Sequence, residues 1–165
     1  MVANANMAPQ AGKYARLELE RRWLLERLPA AAESGTLIVD RYIEGTSLRL
    51  RRVDAPHAQY KLSQKQAPAP PDYARTVITT IYLSPEEYKL LVKLPARELR
   101  KRRHHLGRYS IDVFEGSLGG LVLAETEFPS EEEMRAHPLP DFAVRDVSDD
   151  VRYTGGWLVA NGLPE

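Results

Sequence analysis

No cysteine occurs among the 165 residues. This excludes disulfides, thiolate metal sites and a cysteine nucleophile, and it fits a reducing compartment. There is no excess of either charge, with Lys plus Arg at 23 and Asp plus Glu at 23, whereas a non-specific nucleic-acid binder carries a basic surplus. No apolar run approaches the roughly 18 residues of a membrane span. There is no Gly-rich phosphate loop either, because Gly119-Gly120 and Gly155-Gly156 lack the flanking pattern. Residues 1–13 are rich in Ala and Asn, without the basic and apolar regions of a signal peptide. They read as a flexible tail ahead of a single domain over 14–165. The expectation is a cytoplasmic protein with no membrane and no specific nucleic acid among its partners.

What the chain does contain is short strands. Hydrophobic residues make up 43% and charged residues 28%, enough to build one core. Arg16 to Leu25 (RLELERRWLL) alternates apolar and charged residues as a strand does. Leu37 to Tyr42 and Thr46 to Arg52 read as a hairpin turning at Gly45. His57 to Lys65 reads as the next strand, and Gln66 to Tyr73 (QAPAPPDY) as a Pro-rich loop. Arg75 to Leu83 (RTVITTIYL) is dense in β-branched residues and also reads as a strand. Ser84 to Leu94 predicts a helix, with Ser84 and Glu87 as a capping box and Pro85 in the first turn. Strands follow at Glu98 to His104, Arg108 to Phe114 and Leu121 to Phe128. Ser130 and Glu133 form a second capping box, and Asp146 to Gly162 ends in a last strand or short helix. Strands joined by short turns argue for an antiparallel sheet or barrel and against a βαβ fold.

Strand side chains alternate, so residues two apart share a face. Glu18, Glu20 and Arg22 therefore share one. So do Arg49 and Arg51, Lys61 and Lys65, Lys101 and Arg103, and Glu125 and Glu127, while Asp112 stands alone between Ile111 and Val113. On any one strand this describes an ordinary solvated face. Repeated on five or six strands, it suggests that closure would gather the charges in one lumen. Burying them is costly unless each is paired or bound. A divalent metal on the carboxylates and a polyphosphate on the Arg and Lys side chains would satisfy both sets.

These segments, in this order, resemble the CYTH, or triphosphate tunnel metalloenzyme, superfamily. LELERRWLL over 17–25 is similar to its first-strand ExExK signature, and SLRLRR over 47–52 to its LRLR strand. YKLSQK over 60–65 resembles the strand ending in a substrate-binding lysine, here Lys65, and Arg75 stands where an arginine opens the next strand. LRKRR over 99–103, IDVFEG over 111–116, LVLAETEF over 121–128 and VSDDVRY over 147–153 resemble later family segments. The resemblance implies a mainly β fold of the α+β class, an eight-stranded antiparallel closed barrel with a few flanking helices. It also implies metal-dependent hydrolysis of inorganic triphosphate (tripolyphosphatase). Alternatives are a non-catalytic polyphosphate- or nucleotide-binding module and a class IV-type adenylyl cyclase.

On this resemblance Glu18, Glu20 and Arg22 are the catalytic set. Glu18, Glu20, Asp112, Glu125 and Glu127 would hold Mg²⁺ or Mn²⁺. Arg22, Arg49, Arg51, Lys65, Arg75, Lys101 and Arg103 would bind the triphosphate-bearing small molecule. A homodimer is compatible with the family. Two departures stand out. Arg22 replaces the signature lysine, and Val77 and Thr79 stand where many members carry glutamates, which removes two acids expected in the lumen. Among other residues, His104 and His105 point to opposite faces and cannot share a metal. His57 and His137 lie beside prolines in loops and read as inert, and Trp23 and Trp157 read as core.

Overall fold

The computed structural model describes residues 12–66 and 72–165. The tail over 1–11 and the centre of the Pro-rich loop, 67–71, lie outside the described residues. No helix among those described is long and apolar enough to cross a membrane.

Eight strands close on themselves. They are β1 (Arg16–Leu25), β2 (Thr36–Ile43), β3 (Leu48–Asp54), β4 (Gln59–Gln66), β5 (Arg75–Leu83), β6 (Ala96–Leu106), β7 (Tyr109–Phe114) and β8 (Val122–Glu127). Their order is β5-β4-β3-β2-β6-β7-β8-β1, and a further β1–β5 pairing seals the barrel. Every pairing is antiparallel. β1 is divided along its length. Residues 16–19 pair with β5, and 20–25 pair with β8 on the opposite edge. Where β5 leaves, the two-residue β9 (Arg145–Asp146) takes over the edge, opposite Leu24 and Trp23. Closure leaves little open edge for stray pairing.

The helices are short. Ser84 accepts from the Glu87 N–H and the Glu87 side chain accepts from the Ser84 N–H, so the predicted capping box opens α1 (Pro85–Leu91), which stops three residues before the expected Leu94. Ser130 likewise accepts from the Glu133 N–H at the start of α2 (Glu131–Ala136). The C-terminal segment resolves into β9 and then α3 (Gly155–Asn161), capped by Thr154. Gly107, at φ +56°, makes the tight β6–β7 turn in a conformation that other residues resist.

Two apolar clusters explain why the chain closes this way. The outer faces of β1, β7 and β8 carry Leu19, Trp23, Leu25, Ile111, Val122 and Ala124, and Met134 of α2 and Phe128 cover them. His137 packs against this cluster. Its Nε2 lies 2.8 Å from the Tyr109 hydroxyl, and its ring packs against Trp23 and Phe128. The second cluster stands at one end of the barrel. Leu24, Leu99, Phe114 and Leu123 share the inward face with the charged residues and meet Val147, Tyr153 and Leu158 of the C-terminal segment. Trp157 packs against the same cluster, as expected. Gly155 sits over Tyr42 so closely that an added Cβ would stand 2.0 Å from its hydroxyl. The lumen therefore has an apolar floor and a charged wall.

Candidate active site

Register decides which side chains meet. Glu18 lies opposite Thr76 on β5, Glu20 opposite Glu127, and Arg22 opposite Glu125. Arg103 lies opposite Asp112, and Arg51 stands between Asp40 and Lys61. Cross-strand partners point to the same side, so Glu18, Glu20, Arg22, Arg49, Arg51, Lys65, Lys101, Arg103, Asp112, Glu125 and Glu127 all face the lumen.

The lumen has two tiers. Near the mouth, one carboxylate oxygen from each of Glu18, Glu20 and Glu127 can lie within 4.8 Å of the other two. Lys65 Nζ donates to Glu18 Oε2 at 2.9 Å, and Arg16 approaches Glu18 at 3.7 Å and Glu127 at 3.8 Å. Burial opposes the charged form of Glu18, but the Lys65 ammonium outweighs it and the pKa is lowered. Burial raises the pKa of Glu20, reinforced by the nearby Glu125 carboxylate. A cavity of about 510 Å³ opens here, lined in part by Glu20, Arg103, Ser110, Glu125 and Glu127.

Toward the floor every acid is tied to bases. Asp112, at 0% exposure, accepts from Lys101 Nζ at 2.5 Å and from Arg103 Nε and Nη2 at 2.7 Å each. Glu125 accepts from Arg22 Nε on one oxygen and from Arg103 Nη2 on the other. Burial works against ionisation of both acids, yet the surrounding Lys101, Arg103 and Arg22 cations lower both pKa values, Glu125's strongly. Burial lowers the pKa of Lys101 in spite of Asp112.

Several sequence expectations change here. Asp112 and Glu125 were expected among metal ligands, but their oxygens already accept from Lys and Arg and they fall outside the three-carboxylate group. Arg75 does not enter the lumen. It lies opposite the outward Leu19 and holds Asp72 and Glu131 of α2 on the outer surface. Val77 and Thr79 are also outward, because Thr76 faces Glu18 and Thr80 bonds Ser63 (2.9 Å) inside. The inward β5 positions are Thr76, Ile78, Thr80 and Tyr82, so this strand supplies no lumen acid by either reading.

Asp40 is a lumen acid without a sequence signature. It sits inward on β2, 1% exposed, bonded to Arg51 at 2.6 and 2.7 Å and 3.9 Å from Arg49. Its segment, Leu37 to Ile43, places apolar residues on both faces, so no alternation signalled a lumen acid. Lys61, inward and lying over the Tyr82 ring at 5.1 Å, was visible only as the partner of Lys65 on one face.

Three carboxylates converging near the mouth are a hard-oxygen donor set of the kind Mg²⁺ and Mn²⁺ prefer. Glu18, Glu20 and Glu127 fit such an ion, because Lys65 and Arg22 engage only one oxygen each of Glu18 and Glu20. The Arg and Lys side chains beyond them fit phosphate oxygens.

No protein-family model matches the chain. A curated relative named inorganic triphosphatase, from Nitrosomonas europaea, is 27% identical over 151 residues, spanning 82% of this chain and 92% of that protein. Among solved structures, that of the inorganic triphosphatase NE1496 matches with a TM-score of 0.57 at 23% identity, covering 89% of this chain and 97% of the other. A second, described as the hypothetical protein NE1496, matches with a TM-score of 0.57 at 24% identity, covering 89% and 99%. At these identities the two structures speak to the fold alone.

Proposed function

We propose that the chain is a member of the CYTH, or triphosphate tunnel metalloenzyme, superfamily and a metal-dependent hydrolase of inorganic triphosphate. The observation that carries this reading is the convergence of Glu18, Glu20 and Glu127 at the mouth, directly above a wall of Arg22, Arg49, Arg51, Lys65, Lys101 and Arg103. The name of the Nitrosomonas relative supports the choice of substrate.

Phosphoryl transfer asks mainly for positioning and charge stabilisation, so no covalent nucleophile is needed. Arg22, Arg51 and Arg103 would grip phosphate oxygens from three strands, with Lys65 and Lys101 as point charges. Glu18, Glu20 and Glu127 would hold Mg²⁺ or Mn²⁺, which when bound neutralises charge on the phosphates. The apolar floor excludes water from the inner end.

A second reading is a polyphosphate-binding module without turnover. It is favoured by β5, whose inward Thr76, Ile78 and Thr80 offer no acid to activate water. Phosphate release from tripolyphosphate, with Mg²⁺ or Mn²⁺ against chelator, separates the two. Release that needs metal and disappears in Glu127→Gln supports the hydrolase. No release, together with a rise in melting temperature on adding tripolyphosphate, supports the binding module.

A further inference from the structure

Three lumen arginines share one arrangement. Arg22 donates from Nε to Glu125 at 3.0 Å and from Nη2 to Glu20 at 2.8 Å. Arg103 donates from Nε to Asp112 at 2.7 Å and from Nη2 to Asp112 and Glu125 at 2.7 and 2.9 Å. Arg51 donates from Nε and Nη2 to the two oxygens of Asp40, at 2.6 and 2.7 Å. In each case carboxylates hold the Nε–Nη2 edge, and Nη1 has no hydrogen-bond partner among the described residues.

A guanidinium is planar and presents its donors in a fixed fork. Clamping one edge therefore fixes where the other points. Asp112 and Glu125 do this for Arg103 and Arg22, and Asp40 does it for Arg51 from a different strand. Asp40 also lies 3.9 Å from Arg49, whose buried Nε has no partner, so it keeps two like charges on β3 from splaying apart. Stability alone does not account for a carboxylate that is 1% exposed on a strand flanked by Ile38 and Tyr42 on the same face. Replacing a whole buried ion pair, here Asp40 with Arg51, by well-packed apolar side chains is often neutral or stabilising.

We propose that Asp40 is a positioning residue for anion binding, holding Arg51 and Arg49 so that their free donors meet the phosphate chain. This rests on the triphosphate reading of the tunnel and adds a carboxylate whose role is neither metal binding nor proton transfer. Charge and orientation make opposite predictions for its removal. Losing an acid makes the lumen more positive, which by charge alone tightens binding of a polyanion. Losing the clamp lets Arg51 swing, which weakens it.

The test is calorimetric titration of the full chain with tripolyphosphate and Mg²⁺. Asp40→Asn is expected to weaken binding about tenfold although it adds positive charge, the scale of a lost charge-assisted bidentate contact. Arg51→Lys, which keeps the charge but cannot form the fork, should weaken it to a similar degree. The double variant should be no weaker than the worse single variant, since both remove one device. Unchanged or tighter binding in Asp40→Asn overturns the proposal while leaving the tunnel reading intact. Should that variant not fold, unchanged affinity in Arg51→Lys overturns it instead. A wild-type chain that neither binds tripolyphosphate nor releases phosphate overturns the tunnel reading, and this proposal with it.

Discussion

Lys65 of β4 reaches past β5 to place its ammonium 2.9 Å from Glu18 of β1. The two strands are not neighbours. The contact crosses the inward face of β5, where Thr76 and Ile78 stand instead of acids. Lys65 is thus both a candidate phosphate ligand and the group that keeps Glu18 ionised against burial.

Lys65→Met should therefore have two separable effects. Affinity for tripolyphosphate falls, and the Glu18 pKa rises because burial and the Glu125 carboxylate are then opposed only by the more distant Arg16. A carboxylate that ionises at higher pH is available to Mg²⁺ only at higher pH. The acidic limb of the pH profile for Mg²⁺-dependent phosphate release should move upward. A limb that stays in place would show that Lys65 does not govern Glu18.

Acid should unfold the protein through the deep tier. Asp40, Asp112 and Glu125 have pKa values lowered from ordinary values of 3.8, 3.8 and 4.5. A lowered folded pKa gives stability that is complete above the unfolded value and is lost as pH falls toward the folded one. Glu20, with a raised pKa, acts in the opposite sense and recovers some stability as it protonates. Three acids outweigh one, so the melting temperature should begin to fall below about pH 5. Asp40→Asn should start lower and fall less steeply. Thermal melts across pH check this, and identical slopes for the two proteins would contradict it.

The floor should be sensitive to small changes. Leu158→Ala removes a side chain that is 1% exposed among Leu99, Leu123 and Tyr153. It is expected to cost roughly 2–5 kcal/mol, read by denaturant unfolding. Gly155→Ala forces Tyr42 to move, and Tyr42→Ala should relieve part of that cost. Independent, additive losses would mean that the two residues do not meet.

Arg75 provides a contrast with Arg103. Arg75→Ala should leave tripolyphosphate affinity within error, since the side chain lies outside on Asp72 and Glu131. Arg103→Ala should abolish most of the binding. Equal losses would place Arg75 in the lumen after all.

Much of this arrangement could be read from alternation alone. Glu18, Glu20 and Arg22 on β1, and Glu125 and Glu127 on β8, stand against mostly apolar residues on the other face, Arg21 and Thr126 apart, so the alternation marks their side of the strand. β5 gave no such signal. Its residues after Arg75 are uncharged and mostly β-branched, so nothing local says which parity faces in, and the pairing of Arg75 with Leu19 and of Ser63 with Thr80 settles it. Asp40 was hidden for the reverse reason. Its strand is buried on both faces, by the lumen on one side and covering residues on the other, so apolar residues occupy both parities. The clamping of Asp112 and Glu125 by arginine depends on cross-strand geometry that no spacing encodes. β9, at two residues, is too short to have a period.

The divided edge of β1 also sets the order of events during synthesis. Its first half waits for β5, its second half for β8, and the remaining edge for β9 at Arg145 and Asp146. A nascent chain that has emerged only as far as β7 leaves residues 20–25 of β1 without their β8 partner, so the barrel closes only once β8 has followed. Such long-range pairing folds slowly and exposes strand edges meanwhile. The waiting strand, with its alternating acids and bases, carries charge on one face throughout that interval, and charge on an open edge is what discourages adhesion to other chains.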